Sequence, residues 1–278
     1  MSAIITLTTD FGLNDAYVAA MKGVILGINP EATLVDVCHT IKPQNILQAA
    51  FVLSTAYEFF PQGTIHLIVV DPGVGTERRA IILRTPTADF VAPDNGVLSY
   101  IIQQSSTKPI VTSADQLIEL QPGLEAMAIT KPQFWRSPVS PTFHGRDIFA
   151  PVAARLSLGF SPTDFGETIT SIHMLTLPQP YQTPDGTLVG HILHIDSFGN
   201  LVTSIRSHDL PQTAKSMTIK VGEQIVSGLS HTYDEGRGLL ALIGSSGYLE
   251  IALTGGSAYA LTGADVGSEV RVGWQQRR

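Results

Sequence analysis

With 278 residues, 44% of them hydrophobic and 15% charged, the chain is long enough for two packed domains and too apolar to be disordered. A net charge of −7 excludes a partner that needs a basic face, so neither nucleic acid nor an anionic membrane surface is expected. The single Cys38 excludes an intrachain disulfide and any cysteine-based zinc knuckle, and it reads as a buried structural thiol.

The N-terminal MSAIITLTTDFG has no basic start and no long apolar run, so no signal peptide is expected. No stretch approaches ~18 uninterrupted apolar residues, so no membrane span is expected either. A cytoplasmic protein is the reading. Its low charge leaves an apolar surplus that a subunit interface would cover, which predicts an oligomer.

In chain order, Ala3–Thr8 reads as a buried strand and Asp15–Leu26 as an amphipathic helix. Ala32–Val37 is a second strand and Asn45–Phe59 a second helix. Thr64–Val70, Ala80–Arg84 and Phe90–Ala92 continue as strands, and Val97–Gln103 as a helix. This alternation predicts an α/β N-terminal domain with a largely parallel central sheet over residues 1–175. Residues 104–141 carry scattered Ser, Pro and Gly and predict an irregular surface excursion; Thr142–Leu158 returns to a helical pattern. Residues 176–186 are rich in Pro and polar residues and predict a linker. From 187 to 278 short apolar runs alternate with Gly-rich breaks and no good helix intervenes, which predicts a small all-β barrel.

Asp10, Asp71 and Asp94 each follow directly on a strand run, and ligands of parallel sheets bind beyond the carboxyl ends of strands. Asp10 in TTDFG is either a turn aspartate or a carboxylate for ribose hydroxyls. The DPGVGT segment at Asp71 lacks the P-loop and dinucleotide patterns, and no helix follows it, so it is not a phosphate cradle. In PDNG, Asn95 is either plain turn chemistry or a reader of an adenine or ribose edge. In TFHGRD, Arg146 and Asp147 read as a structural pair or cap, whereas His144 suits proton transfer near neutrality. The remaining histidines have no zinc spacing, so no metal site is expected, and no G-x-S-x-G is present. In the second half, Asp196, Phe198 and Asn200 in DSFGN form either a hairpin corner or a cluster that stacks on a purine and holds its sugar. Ser245 in SSGYLEIA reads as a turn residue.

Together TTDFG, VVDPGVGTERR, PDNG, TFHGRDIFAPVAA, IDSFGN and SSGYLEIA occur in the order and spacing of one family. The chain resembles the S-adenosyl-L-methionine (SAM) hydroxide adenosyltransferases, adenosine-forming SAM hydrolases related to the SAM chlorinases and fluorinases. The resemblance spans Ile4 to Val272. It implies hydrolysis of SAM to adenosine and methionine, a homotrimer, and SAM bound between one subunit's N-terminal domain and its neighbour's barrel. It also implies no cofactor beyond the substrate.

Residue by residue, the resemblance places the water-activating Asp, Arg and His on Asp71, Arg78 and His144, a set that halogenases lack. It places substrate binding on Asp10, Asn95, Phe143, Gly145, Asp196, Phe198, Asn200, Ser245 and Glu250. DSFGN spaces its Asp and Phe differently from the halogenases, so Asn200's contact is firmer than Asp196's. Gly145 stands where fluorinases carry a halide-binding serine, which leaves a weak chloride reaction open. Two alternatives remain at this stage: a SAM chlorinase, or a non-catalytic SAM or adenosine sensor. A metal-dependent hydrolase built on the three strand-end carboxylates is the more distant rival.

Overall fold

A computed structural model describes residues 3–106, 110, 112, 114–211, 216–235 and 237–274. The chain divides into two compact units, 1–177 and 178–278.

The first unit is built around a seven-stranded sheet. In chain order its elements are β1 (Ile4–Thr9), α1 (Tyr17–Ile28), β2 (Thr33–Cys38), α2 (Ile46–Ser54), β3 (Thr64–Val69), β4 (Ala80–Arg84), β5 (Ala88–Pro93) and α3 (Ser99–Ser105). They are followed by β6 (Gln116–Glu119), β7 (Glu125–Ile129), α4 (Ala150–Leu156), β8 (Gly166–Ile169) and β9 (Ser171–Met174). The sheet order is β2-β1-β3-β5-β4-β7-β8, and β6 pairs with β9 in a separate ribbon.

The four strands β2, β1, β3 and β5 are parallel: α1 crosses from β1 to β2 and α2 from β2 to β3, whereas β3 reaches β5 through the intervening antiparallel β4. From β5 to β8 the pairing is antiparallel, since β4 and β5 are joined by a tight turn in which Thr85 N–H donates to Ala88 O at 2.9 Å. The expected α/β class therefore holds, with its parallel ladder on one side of β5.

Strand alternation separates two apolar layers. Ile5, Leu7, Leu67 and Val69 face α1 and α4, where Met21, Ile25, Phe149 and Leu156 complete the larger core. On the opposite face Thr6, His66 and Phe90 lie toward Tyr57, while Phe51 of α2 meets Tyr100 of α3.

Two expectations are corrected here. The stretch 104–141, expected to be irregular throughout, contains β6 and β7. β7 is an internal strand with Ala126 and Met127 fully buried between β4 and β8. Its sequence, EAMAI, is short and alanine-rich, so local β-preference is weak and tertiary pairing decides it. The helical stretch 142–158 also breaks, into a π-helical turn (Gly145–Phe149) followed by α4. Pro151 has no N–H for the Asp147 carbonyl four residues earlier; that carbonyl instead accepts from Arg136 N–H at 2.8 Å.

The second unit comprises β10 (Tyr181–Gln182), β11 (Leu188–Ile195), β12 (Leu201–Arg206), β13 (Met217–Val221), β14 (Gln224–Ser227), β15 (Leu239–Ile243), β16 (Tyr248–Leu253), α5 (Ala258–Thr262) and β17 (Glu269–Trp274). All ladders are antiparallel, in the order β14-β13-β17-β11-β12-β16-β15. β11 pairs with β17 through its first half and with β12 through its second, which curls the sheet toward a barrel. Inward residues such as Ile192, Ile205, Ile219, Ile251 and Val272 fill it. β10, inside the Pro-rich stretch expected as linker, pairs with β11. The short α5, which the sequence reading passed over, is capped by Ser257 Oγ accepting from Ala260 N–H and closed by left-handed Gly263. Among the described residues no helix is long and apolar enough to cross a membrane.

Candidate active site

The parallel strands β1 and β3 end together, and beyond their carboxyl ends lies a cavity of about 360 Å³. Asp10, Asp71, Phe143, His144 and Gly145 all line it. Five residues that the resemblance implicated are thus brought to one place by the fold of the first unit alone.

Asp10 follows β1, and its Oδ2 accepts from Gln44 N–H at 2.7 Å. Gln44 has φ +63°, the one non-glycine residue in the left-handed region among those described. The backbone is held in a costly conformation at the point where it meets the carboxylate. His39 braces the same loop from below: its carbonyl accepts from Gly12 N–H at 2.7 Å and its Nδ1 lies 2.8 Å from Thr9 Oγ1. His39 Nε2 also lies 3.0 Å from Asp36 Oδ1. Phe11, Tyr17 and Phe143 form one wall, with ring centroids 5.2 to 5.7 Å apart.

Asp71 follows β3 at the head of a tight loop. Gly75 in that loop has φ +79°, and a Cβ there would stand 2.5 Å from the Pro141 carbonyl oxygen, so only glycine lets the loop pack against the chain leading to His144. Arg78 Nε donates to Asp71 Oδ1 at 2.8 Å, and Nη2 donates to Oδ2. The same Nη2 lies 3.0 Å from His144 Nδ1. Arg78 itself does not line the cavity. It stands behind Asp71 and His144, its guanidinium 5.1 Å from the centre of the Phe149 ring. Burial, and then the positive charge of Arg78, lower the His144 pKa against the opposing pull of Asp71 and Asp147.

Other candidates sit elsewhere. Asn95 is outside the cavity lining; its Nδ2 donates to Val70 O at 2.9 Å and its Oδ1 accepts from Val97 N–H, which braces the strand end just before Asp71. Asp94, the third strand-end carboxylate, is occupied by Arg79 Nε at 2.8 Å and His173 N–H at 2.8 Å. Arg146 and Asp147 form a pair at 2.7 Å, with Asp147 fully buried and also capping Ser140 N–H. At Gly145 an added Cβ would meet Met21 Sδ and Val69 Cγ1 at 3.2 Å, so a serine at this position would require these side chains to give way slightly.

In the second unit Asp196, Phe198 and Asn200 form one turn between β11 and β12. Asp196 Oδ1 accepts from Phe198 N–H and Asn200 N–H, and Oδ2 from Asn200 Nδ2, each at 2.9 Å. Gly199 closes the turn at φ +83°, where a Cβ would collide with Ser257 Oγ at 2.0 Å. The Phe198 ring is left 77% exposed. Ser245 lies in the turn from β15 to β16. Glu250, on β16, is buried, and its Oε2 accepts from Tyr233 OH at 2.8 Å. Burial raises the Glu250 pKa, and burial together with Glu250 pushes Tyr233 up to about 12. Among the described residues no three His, Cys, Asp or Glu side chains converge as a metal site.

Three residues of this geometry escaped the sequence reading. Tyr17 lay inside a helix start, Gln44 has no chemical signature, and His39 looked like any histidine at a strand end. Only Gln44's place before the N-cap Asn45, whose side chain accepts from Gln48 N–H, hints at special backbone.

A two-unit chain with an α/β first unit, a β-barrel second unit and an Asp–Arg–His set at the strand ends defines a class, and comparison with known proteins specifies which. Residues 5–166 match the SAM hydroxide adenosyltransferase N-terminal domain, and residues 190–271 match the C-terminal domain of that family. The chain belongs to the SAM hydroxide adenosyltransferase family.

It is 36% identical to a Salinispora tropica protein named (R)-S-adenosyl-L-methionine hydrolase, over 96% of this chain and 97% of the relative. A Methanocaldococcus jannaschii protein of the same name is 32% identical over 97% and 95%. A Nocardia brasiliensis fluorinase is 27% identical over 97% of each chain. Among solved structures, an uncharacterized conserved protein from Thermotoga maritima superposes with a TM-score of 0.84 at 34% identity, covering 97% of this chain and 99% of that one.

Proposed function

We propose that the protein hydrolyses SAM to adenosine and methionine by in-line attack of water on ribose C5′. The observation that carries this is that Asp71 and His144, both held by Arg78 from behind, line one cavity together with Asp10, in a chain of this family.

SAM's sulfonium departs as a neutral thioether, so the leaving group needs no acid. The nucleophile is the difficulty, because water with a pKa of ~15.7 is weak. A carboxylate and an imidazole converging on one point hold a water and draw off its proton. Fixing that water in line with C5′–S removes roughly 7–11 kcal/mol of barrier by alignment alone. Phe11, Tyr17 and Phe143 give one side of the site an apolar surface, and a drier pocket favours a step in which two charges annihilate. Gln44 N–H holds Asp10 Oδ2, and among the described residues no hydrogen-bond partner occupies Oδ1, which leaves it for the ribose diol.

In this reading Asn95 acts through the strand end before Asp71, and Asp196, Phe198, Asn200, Ser245 and Glu250 supply the barrel's share of substrate binding. The protein works in the cytoplasm as a homotrimer with its sites at subunit interfaces. It uses no cofactor, metal, nucleic acid or membrane.

The test is incubation of purified protein with each sulfonium epimer of SAM, with and without chloride and EDTA, followed by chromatography. Adenosine and methionine in equal amounts, indifferent to both additives, is the expected result, with the (R)-epimer preferred as in the relatives' name. Chloride-dependent 5′-chloroadenosine would make the protein a halogenase, and tight binding without turnover a sensor. Asp10→Ala should weaken both adenosine and SAM roughly 10- to 100-fold, the worth of charge-assisted hydrogen bonds. Unchanged adenosine affinity in calorimetry would remove Asp10 from the ribose.

A further inference from the structure

The proton that leaves the attacking water has two candidate acceptors, Asp71 and His144, and Arg78 decides between them. A guanidinium has five N–H donors and no acceptor. The 3.0 Å contact between Arg78 Nη2 and His144 Nδ1 is therefore donated by the arginine, and Nδ1 receives it through its lone pair. A neutral imidazole whose Nδ1 is unprotonated carries its proton on Nε2. We infer that Arg78 locks His144 as the Nε2–H tautomer, so that His144 donates a hydrogen bond to the attacking water and Asp71 takes the water's proton. The inference rests on the hydrolase reading above.

The reverse assignment conflicts with the geometry. A proton on Nδ1 would face an arginine N–H across 3.0 Å, and an imidazolium would set two cations against each other. The charged groups around the ring are Arg78 and Asp71 from the loop after β3 and Asp147 from its own helix, with Asp10 across the cavity. Burial and Arg78 outweigh the two nearer carboxylates and keep the ring neutral.

Asp71 keeps acceptor capacity, since a carboxylate offers about four lone-pair sites and Arg78 approaches from behind. The water then accepts from His144 Nε2–H, donates to an Asp71 oxygen and points its remaining lone pair at C5′. As the O–C5′ bond forms, the C5′–S bond breaks and its electron pair neutralises the sulfonium. One water proton moves to Asp71 and the other stays on adenosine's new hydroxyl; Asp71 later returns its proton to solvent. Arg78 touches none of the reacting atoms and is a positioning residue acting through its two partners.

The first readout needs no turnover. Full-length protein with 15N-labelled histidine is examined by long-range proton–nitrogen correlation at neutral pH, with His144 assigned by its loss in His144→Gln. An unprotonated Nδ1 with a protonated Nε2 is expected, shifting toward a tautomer mixture in Arg78→Met. A protonated Nδ1 or an imidazolium overturns the inference while leaving the hydrolase reading standing. The second readout is kinetic. Glutamine places an amide N–H near the Nε2 position, so His144→Gln should lose about tenfold and His144→Ala about a thousandfold in kcat. A glutamine variant as inactive as the alanine variant would make His144 the base.

Discussion

Asp71→Asn should lower kcat for SAM hydrolysis by roughly 10³-fold while SAM affinity stays within a few fold. The amide fills the same volume beside Arg78 but cannot take a proton from water, and positioned general bases contribute about 10² to 10⁴ in rate. The substitution also removes the negative charge that a halide would meet on entering the nucleophile's place. Chloride-dependent 5′-chloroadenosine should therefore rise in the variant relative to the unaltered protein at high chloride, even though the core behind Gly145 is already filled. Adenosine binding, which the proposal above assigns to Asp10, serves as the check that the fold survives. Hydrolysis near the unaltered rate would take Asp71 out of the chemistry.

The second large effect lies in the core of the first unit. His66 on β3 is fully buried and stacked on Phe90 at 4.9 Å between centroids, with Nδ1 2.8 Å from Thr6 Oγ1. Burial lowers its pKa to about 4 from an ordinary 6.5. A depressed histidine pKa means that the unfolded chain binds the proton first as pH falls. Above about pH 6.5 neither state is charged and His66 adds nothing to the pH dependence. Between pH 6.5 and 4 stability drains away, by about 3 kcal/mol in all and about 2 kcal/mol by pH 5. Denaturant midpoints at pH 7.5 and 5 measure this directly. His66→Leu should be less stable at pH 7.5, because Thr6 loses its partner, yet should show a smaller drop on acidification. An unchanged drop would mean that His66 is not the group that titrates.

Much of the site was legible because its parts are local. Asp10 and Asp71 each follow an unmistakable β-branched run, so the amino-acid order alone puts carboxylates at strand ends. The Arg146–Asp147 pair was legible as neighbours in sequence. The barrel showed itself through alternation, as in Met217–Val221, whose buried and exposed residues alternate strictly. β7 was not legible, because five residues with two alanines hold no strand preference until β4 and β8 flank them. Asn95 illustrates the opposite case: its motif read equally as a turn or as a ligand contact, and only the fold shows its amide holding the Val70 carbonyl.

What the amino-acid order determines by itself is the succession of elements, the two-part organisation and the inventory of reactive groups, all consequences of spacing along the chain. Tertiary structure alone decides that Arg78 stands behind Asp71 and His144 rather than in the cavity, and that Gln44 turns left-handed to grip Asp10. It likewise seals His66 from water. Arg78 meets His144 and Gln44 meets Asp10 across long stretches of chain, and a tautomer or a shifted pKa depends on which neighbour arrives and how much water it displaces.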